Sequence, residues 1–315
     1  MSAQTCYMPI SIAVHDIRCC RSSPRGLQEA QAGYGGRPVG DSDNVNTSYP
    51  IGRTTHEQEH LAEQSRAFGT FTKQVLLEAG LTKGMRVLDV GCGVGDVSFL
   101  CAELVGPKGE VIGVDRDPAV VEVAQENARR AWIGHVTFQE GDPLTLEAGA
   151  PFDAVVGRFV LMYAADPVVA LKTLVRHLRP NGIVAFQEGD FTFTPMAVPP
   201  SVLYKQIIDW VWRVGRQTGA EMQMGFKLYQ TYVAAGLPAP RLRMDTLVGG
   251  GPDFEGYQYL AGLVSSFLPV MEQLGVATAA EVDIDTLADR LREEVVRGGG
   301  CIALQPLIGS WARKL

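Results

Sequence analysis

Residues 87–96 read VLDVGCGVGD, an apolar run typical of a buried strand that stops at an acid and continues into three alternating glycines. Glycine has no Cβ, so the backbone at Gly91, Gly93 and Gly95 can approach a ligand closely and adopt conformations that other residues avoid. A helix is predicted directly after the loop, and the first turn of a helix presents unpaired N–H groups. The stretch therefore predicts a ligand-binding loop between a strand and a helix.

Around this stretch, strand-like and helix-like segments alternate along the chain. Apolar runs predict five strands, at residues 85–91, 110–117, 135–142, 152–159 and 182–190, and amphipathic stretches between most of them predict helices. Such alternation indicates a parallel sheet that is covered on both faces through right-handed crossovers. Ligands of such sheets bind at the carboxyl ends of the strands, near the switch in strand order.

The second half of the chain adds two further strands and several helices. RLRMDTLVGG (241–250) and CIALQPLIGSW (301–311) predict strands, and residues 252–297 between them predict a helical stretch. The sequence therefore predicts the α/β fold class, with a Rossmann-like, doubly wound, mostly parallel seven-stranded sheet, helices on both faces and a helical lid.

The composition also predicts how the chain is divided. A flexible N-terminal arm is predicted for residues 1–50, because its second half is rich in Gly, Ser, Pro, Asn and Asp. A core with N-terminal helices follows over residues 51–249, then a helical lid insertion over 250–300 and the last strand over 301–315. The arm is a candidate for contacts with a second copy in a homo-oligomer.

Charge and cysteine usage exclude several partner classes. The formal net charge of -7 offers no long-range attraction to nucleic acid or to anionic membranes. The six cysteines are scattered, without the paired spacing of a zinc site, so no metal site is expected. With no apolar run of 18 residues in the chain, we expect a cytoplasmic protein with reduced thiols.

Two classes of ligand use a glycine-rich loop of this kind. Dinucleotide folds require G-x-G-x-x-G, but here the third position is Asp96 and Gly95 comes one residue early. An acidic side chain beside a pyrophosphate would repel it. The loop therefore favours a ligand without phosphates.

The spacing D-x-G-x-G-x-G after a strand resembles motif I of the class I S-adenosylmethionine-dependent methyltransferases. VIGVDRD resembles their second motif, which implies that Asp115 binds both ribose hydroxyls. QEGDPL resembles the third, which implies that Asp142 accepts a hydrogen bond from the adenine amino group. FDAVVGRFVLMY resembles the fourth, where the backbone at Arg158 and Phe159 would flank the methionine moiety. The resemblance implies S-adenosyl-L-methionine as cofactor and the following binding residues: Asp89, Gly91, Cys92, Gly93, Gly95, Asp115, Arg116, Gly141, Asp142, Pro143, Arg158 and Phe159.

Each of the three acids also has a purely structural alternative, which the sequence leaves open. Asp89 is equally suited to capping a helix. Asp115 is also compatible with a turn that precedes a helix capped by Asp117, and Asp142 with a turn before Pro143.

Methyl transfer to a hydroxyl, amine or acidic carbon needs a base within hydrogen-bond reach. Glu188 at a strand end, His56 before the first helix and Tyr163 after the fourth strand are the candidate catalytic residues. A turn acid and a solvated histidine are the structural alternatives for the first two.

The aromatic content beyond Glu188 predicts the kind of methyl acceptor. Ordinary core of the helical region is the structural alternative for most of the aromatic residues there, but a pocket lined by such residues suits a hydrophobic small molecule. The residues are Phe191, Phe193, Tyr204, Trp210, Trp212, Phe226, Tyr229, Tyr232, Tyr257, Tyr259 and Phe267. The ending PLIGSWARK resembles the last strand of ubiquinone and menaquinone C-methyltransferases and of natural-product methyltransferases. We therefore expect C-, O- or N-methylation of a hydrophobic or aromatic small molecule in natural-product or quinone-like biosynthesis. A catalytically inactive cofactor-binding scaffold or regulator of the same fold is the alternative, and a macromolecular methyltransferase is disfavoured by the acidic charge.

Overall fold

A computed structural model describes residues 68–146 and 149–315. The predicted arm, residues 1–50, and the candidate base His56 lie outside the described residues. Ten strands occur in the described part of the chain: β1 (Arg86–Val90), β2 (Glu110–Asp115), β3 (Val136–Glu140), β4 (Phe152–Arg158), β5 (Leu178–Gly189), β6 (Met196–Val198), β7 (Arg241–Asp245), β8 (Val248–Gly249), β9 (Cys301–Ala303) and β10 (Leu307–Arg313).

Seven of these strands form one sheet in the order β3-β2-β1-β4-β5-β10-β7. Within it, β10 runs antiparallel to both neighbours and the other pairings are parallel. The predicted α/β class and the mostly parallel seven-stranded sheet are thus confirmed. The chain order reverses between β1 and β4, so a crevice forms at the carboxyl ends of these two strands.

Helices connect the strands and extend beyond them: α1 (68–79), α2 (Asp96–Val105), α3 (Pro118–Ala131), α4 (Pro167–Val175), α5 (Val202–Thr218), α6 (Met224–Ala234), α7 (Gly256–Gln273), α8 (Ala279–Val282) and α9 (Ile284–Arg297). Several begin where the sequence supplies a cap. The carboxylate of Asp117 accepts a hydrogen bond from the backbone N–H of Ala119 at 2.9 Å, and Pro118 occupies the first turn of α3. Ser201 caps α5 in the same way, by accepting a bond from Tyr204 N at 3.0 Å.

Two segments that the sequence predicts as single strands are divided in the structure. Residues 241–250 form β7 and β8, and residues 301–313 form β9 and β10, which belong to different sheets. Pro306 lies at the second break, and proline has no N–H to donate to a strand ladder. β6, β9 and β8 form a separate three-stranded antiparallel sheet that the sequence does not predict.

One helix of the second half, α7, packs near the carboxyl end of β4. Phe68 of α1 contacts Phe159 and Tyr259 edge to face, with ring centroids 5.8 and 5.4 Å apart, so α1, the segment after β4 and α7 meet there. In residues 68–146 and 149–315, no helix combines the length and apolarity needed to cross a membrane.

Candidate active site

The glycine loop lies between β1 and α2, at the crevice. Gly91, Gly93 and Gly95 have φ angles of 63°, 51° and 104°, in the left-handed region where glycine avoids steric cost. A Cβ at Gly91 would lie 2.9 Å from Cγ2 of Val160, so the loop is in close contact with the segment after β4. Cys92 is fully buried within the loop, and burial raises the pKa of its thiol, so the thiol stays neutral.

Asp115 ends β2 beside this loop. Its Oδ2 accepts a hydrogen bond from Gly93 N at 2.9 Å, and its Oδ1 accepts one from Asp117 N at 3.1 Å. Burial raises the pKa of the carboxyl group, although these backbone bonds oppose the shift. Each carboxylate oxygen has two lone pairs, so both retain acceptor capacity for a ligand diol. Asp115 can therefore hold the turn before α3 and accept hydrogen bonds from a ligand at the same time.

The third predicted binding segment forms a turn at the carboxyl end of β3. Asp142 Oδ1 accepts a hydrogen bond from Leu144 N at 2.9 Å, and its Oδ2 forms an ion pair with the exposed Arg116 at 2.7 Å. Gly141 N donates to the backbone oxygen of Asp115 at 2.8 Å, which joins this turn to the end of β2. The structural alternative for Asp142 is thus present, and Pro143 is buried behind it.

Arg158 at the end of β4 turns into the protein. Its guanidinium lies 3.4 Å from Asp96 and donates to the hydroxyl of Thr72 at 3.1 Å. Thr72 in turn donates to the side chain of Gln187 at 3.0 Å. Burial raises the pKa of Asp96 to about 6, and the charge of Arg158 opposes that rise. Asp96 is paired with Arg158 and only 6% exposed, so its charge would not repel a bound dinucleotide. Only the glycine spacing argues against a dinucleotide at this loop.

Asp89, the acid of the first motif, is 1% exposed beneath the loop. Its Oδ2 accepts a hydrogen bond from the hydroxyl of Ser98 at 2.6 Å, so it contacts α2 through a side chain and not as a backbone cap. Among the described residues, its Oδ1 has no hydrogen-bond partner. Burial raises the pKa of Asp89 to about 7. The glycine loop, the Asp115 carboxylate with its remaining acceptor capacity and the unpaired Oδ1 of Asp89 fit a cationic nucleoside without phosphates.

Glu188 is fully buried near the end of β5. Its Oε1 accepts hydrogen bonds from Val160 N at 3.1 Å and Leu161 N at 2.8 Å, and its Oε2 accepts one from Met162 N at 3.3 Å. Burial raises its pKa to about 7 against the effect of these bonds. The carboxylate therefore holds the short 3₁₀ turn after β4, a contact that the sequence did not reveal because it joins residues 26 to 28 positions apart.

Next to that turn lies a small apolar cavity of about 30 Å³ that is partly open to solvent. Tyr163, a predicted candidate, lines it. Burial raises the pKa of Tyr163, and the charge of Glu188 adds to this, so it is a neutral phenol at physiological pH. The other lining residues are Phe159, Met162, Phe191, Val211, Val214, Gly215, Thr218, Ala220, Met222, Tyr259, Leu263, Phe267 and Gln305.

The sequence anticipates part of this lining. Phe191, Tyr259 and Phe267 belong to the aromatic set that predicted a hydrophobic acceptor. The sequence did not predict Met222 and Gln305 as lining residues. They lie outside the helices and strands that hydrophobic periodicity can detect. α5 and α7 line the same cavity, although α5 precedes the predicted lid.

Comparison with known proteins agrees with this site. Residues 81–234 match the family model described as a methyltransferase domain. The demethylmenaquinone methyltransferase of Staphylococcus aureus strain JH9 is 34% identical over 137 residues, which are 43% of this chain and 56% of that protein. The chain thus matches little more than half the length of this curated relative.

Solved structures share the fold. The YcgJ protein from Bacillus subtilis superposes with a TM-score of 0.52 at 17% identity, over 78% of this chain and 99% of that one. The [4+2]-cyclase SpnF superposes with a TM-score of 0.50 at 19% identity, over 83% of this chain and 84% of that one. The match identifies residues 81–234, just under half of the chain, as a methyltransferase domain, and the motif order and strand order agree with a class I domain whose cofactor is S-adenosylmethionine.

Proposed function

We propose that this protein transfers a methyl group from S-adenosylmethionine to a hydrophobic or aromatic small molecule that binds in the apolar cavity. One observation supports this most directly: the cavity and the glycine loop share the segment after β4. Phe159 lines the cavity, and the next residue, Val160, contacts the loop at Gly91. An acceptor in the cavity would therefore be adjacent to a cofactor on the loop.

The residues of the cavity suit this chemistry. When bound, the cofactor supplies an activated methyl group together with its own leaving group. The protein must orient the acceptor and exclude water, and orientation of this kind lowers barriers by roughly 7 to 11 kcal/mol. Phe159 and Tyr163 line the cavity with aromatic rings, and such rings stabilise a neighbouring positive charge. Tyr163 serves as a hydrogen-bond donor in this proposal, and the buried Glu188 as the group that positions it.

The class of acceptor follows from the lining and from the relative. A cavity built from aromatic and aliphatic side chains favours a largely apolar molecule. The Staphylococcus aureus relative is named for a menaquinone precursor, which supports a quinone-like acceptor for this chain or another natural product. The methylated atom, C, O or N, is left open. We further propose that the helices within residues 250–300 act as a lid over this cavity.

A second candidate is a protein that binds the cofactor without transferring its methyl group. The engagement of Glu188 by three backbone N–H groups favours it, because no described carboxylate lines the cavity as a base. SpnF, a cyclase with the same fold, shows that the architecture accommodates other reactions.

The test combines labelled cofactor with a variant that fills the cavity. Leu263, 3% exposed, lines the cavity from α7, whereas Ser265 on the same helix is exposed. Labelled methyl transfer is measured against a panel of apolar aromatic and quinone-like molecules. We expect the wild type and Ser265→Trp to label the same compounds, and Leu263→Trp to lose at least tenfold in rate while retaining S-adenosylhomocysteine binding. Undiminished transfer by Leu263→Trp would place the acceptor elsewhere, and no transfer to any compound would favour the second candidate.

A further inference from the structure

Gln305 places an amide in the otherwise largely apolar cavity. It lies in the loop between β9 and β10 and is 3% exposed. Its Nε2 donates to the hydroxyl of Tyr259, while its Oε1 has no hydrogen-bond partner among the described residues. Glutamine is seldom buried, and an unsatisfied buried amide oxygen costs roughly 1–3 kcal/mol. A ligand group that pairs with this oxygen would recover that cost.

The surroundings hold the amide in place. Tyr259 is 2% exposed on α7, and its ring packs edge to face against Phe68, which packs in the same way against Phe159. Burial raises the pKa of Tyr259, so it stays a neutral hydroxyl to which Gln305 can donate. The hydroxyl that accepts the hydrogen bond of the amide is therefore held in place by aromatic contacts. A preorganised polar group in an apolar pocket is the usual device by which a site orients a ligand.

We propose that Gln305 binds a hydroxyl group of the methyl acceptor, so that the preferred acceptors are hydroxylated apolar molecules such as phenols and enols. This inference rests on the proposed function, because it takes the cavity as the acceptor site. A hydroxyl both donates and accepts, and so it satisfies the amide in either orientation. Burying a site oxygen without a partner is costly, so an analogue that lacks the hydroxyl binds less well.

Two matched probes test the proposal without requiring methyl transfer. 2-Naphthol and 2-methylnaphthalene have nearly the same shape, and affinity for each is measured by calorimetry with S-adenosylhomocysteine bound. A purely apolar cavity would favour 2-methylnaphthalene, the more hydrophobic compound. We expect the wild type to prefer 2-naphthol by about tenfold, the equivalent of one hydrogen bond to a buried partner.

Substitution of Gln305 identifies the source of that preference. Gln305→Met keeps the length of the side chain but removes the amide, and we expect it to bind 2-methylnaphthalene at least as well as 2-naphthol. Equal or weaker binding of 2-naphthol by the wild type would overturn the proposal even if this variant failed to fold. A folded Gln305→Met with an unchanged preference would overturn it too, as would failure of both probes to bind.

The outcome can be separated from that of the proposed function. A preference for 2-naphthol in a protein that methylates nothing would support hydroxyl recognition and count against methyl transfer. Methyl transfer to apolar acceptors without a preference for 2-naphthol would support methyl transfer and count against hydroxyl recognition by Gln305.

Discussion

Three buried carboxyl groups lie at or beside the cofactor loop, and burial raises the pKa of each. The pKa of Asp89 and of Glu188 is raised to about 7, and that of Asp96 to about 6. A carboxyl group whose pKa is higher in the folded than in the unfolded state stabilises the fold most at low pH. This stabilisation is complete at a pH below the pKa of the unfolded state. It is lost as the pH rises through the pKa of the folded state.

Glu188→Gln isolates one of these groups. We expect the variant to be less stable than the wild type at pH 5 by about 1–3 kcal/mol, because an amide cannot accept all three backbone N–H groups. Between pH 5 and pH 8 the wild type loses a contribution on the order of 3 kcal/mol as Glu188 ionises against its burial, so the difference should shrink. Urea denaturation at both pH values measures it. If the difference in unfolding free energy between the wild type and Glu188→Gln stays constant or widens from pH 5 to pH 8, the pKa of Glu188 is not raised.

Asp115 is the residue on which cofactor affinity should depend most. We expect Asp115→Asn to weaken S-adenosylhomocysteine binding at least tenfold, because an amide offers a diol one acceptor oxygen instead of two. Glu110→Gln, at the opposite end of β2 and exposed, is the matched control and should bind normally. Calorimetry gives both affinities, and the melting temperatures show whether either variant is unfolded. Equal affinities would refute the ribose assignment for Asp115.

At the scale of the element, the unit that decides function is β1, its glycine loop and α2. Gly91 and Gly84 both have positive φ, 63° and 84°, but only Gly91 has a neighbour that an added Cβ would meet. A positive φ alone makes alanine cost roughly 1–2 kcal/mol at either position. At Gly91, the contact between the added Cβ and Val160 would lower the free energy of unfolding further.

We therefore expect Gly91→Ala to lose more unfolding free energy than Gly84→Ala, and to lose cofactor affinity as well. In the double variant Gly91→Ala, Val160→Ala, part of the excess should be recovered, because the contacting methyl group is gone. Denaturant titration of the three proteins checks this order. If the two single variants cost the same, the loop is not in close contact with the segment after β4.

This unit is also the part that the sequence predicts best, since apolar periodicity, a terminal acid and glycine spacing are all local signals. The division between β9 and β10 escaped prediction because it depends on pairing with β6 and β8, which are distant in the chain. Long-range contacts likewise determine the surroundings of Glu188: its residue type predicted a base, and only the structure reveals that three backbone N–H groups donate to its carboxylate. Gln305 gave no signal, because a loop residue becomes functional only through what surrounds it.

At the scale of the whole molecule, the two halves of the chain meet at one cavity. The segment after β4 supplies Phe159 and Tyr163, while α5, α7 and the loop before β10 supply other walls. The first half matches a known family model over most of its described length, and that match ends at residue 234. α7 and Gln305 lie beyond it, so the family match does not describe these walls of the cavity.

The glycine loop is expected to hold a phosphate-free nucleoside cofactor. Calorimetric titration of the wild type with S-adenosylhomocysteine, repeated in the presence of NADH, tests it most directly. We predict one site per chain with micromolar affinity, unaffected by excess NADH. Absence of binding heat, or displacement of S-adenosylhomocysteine by the dinucleotide, would contradict the claim.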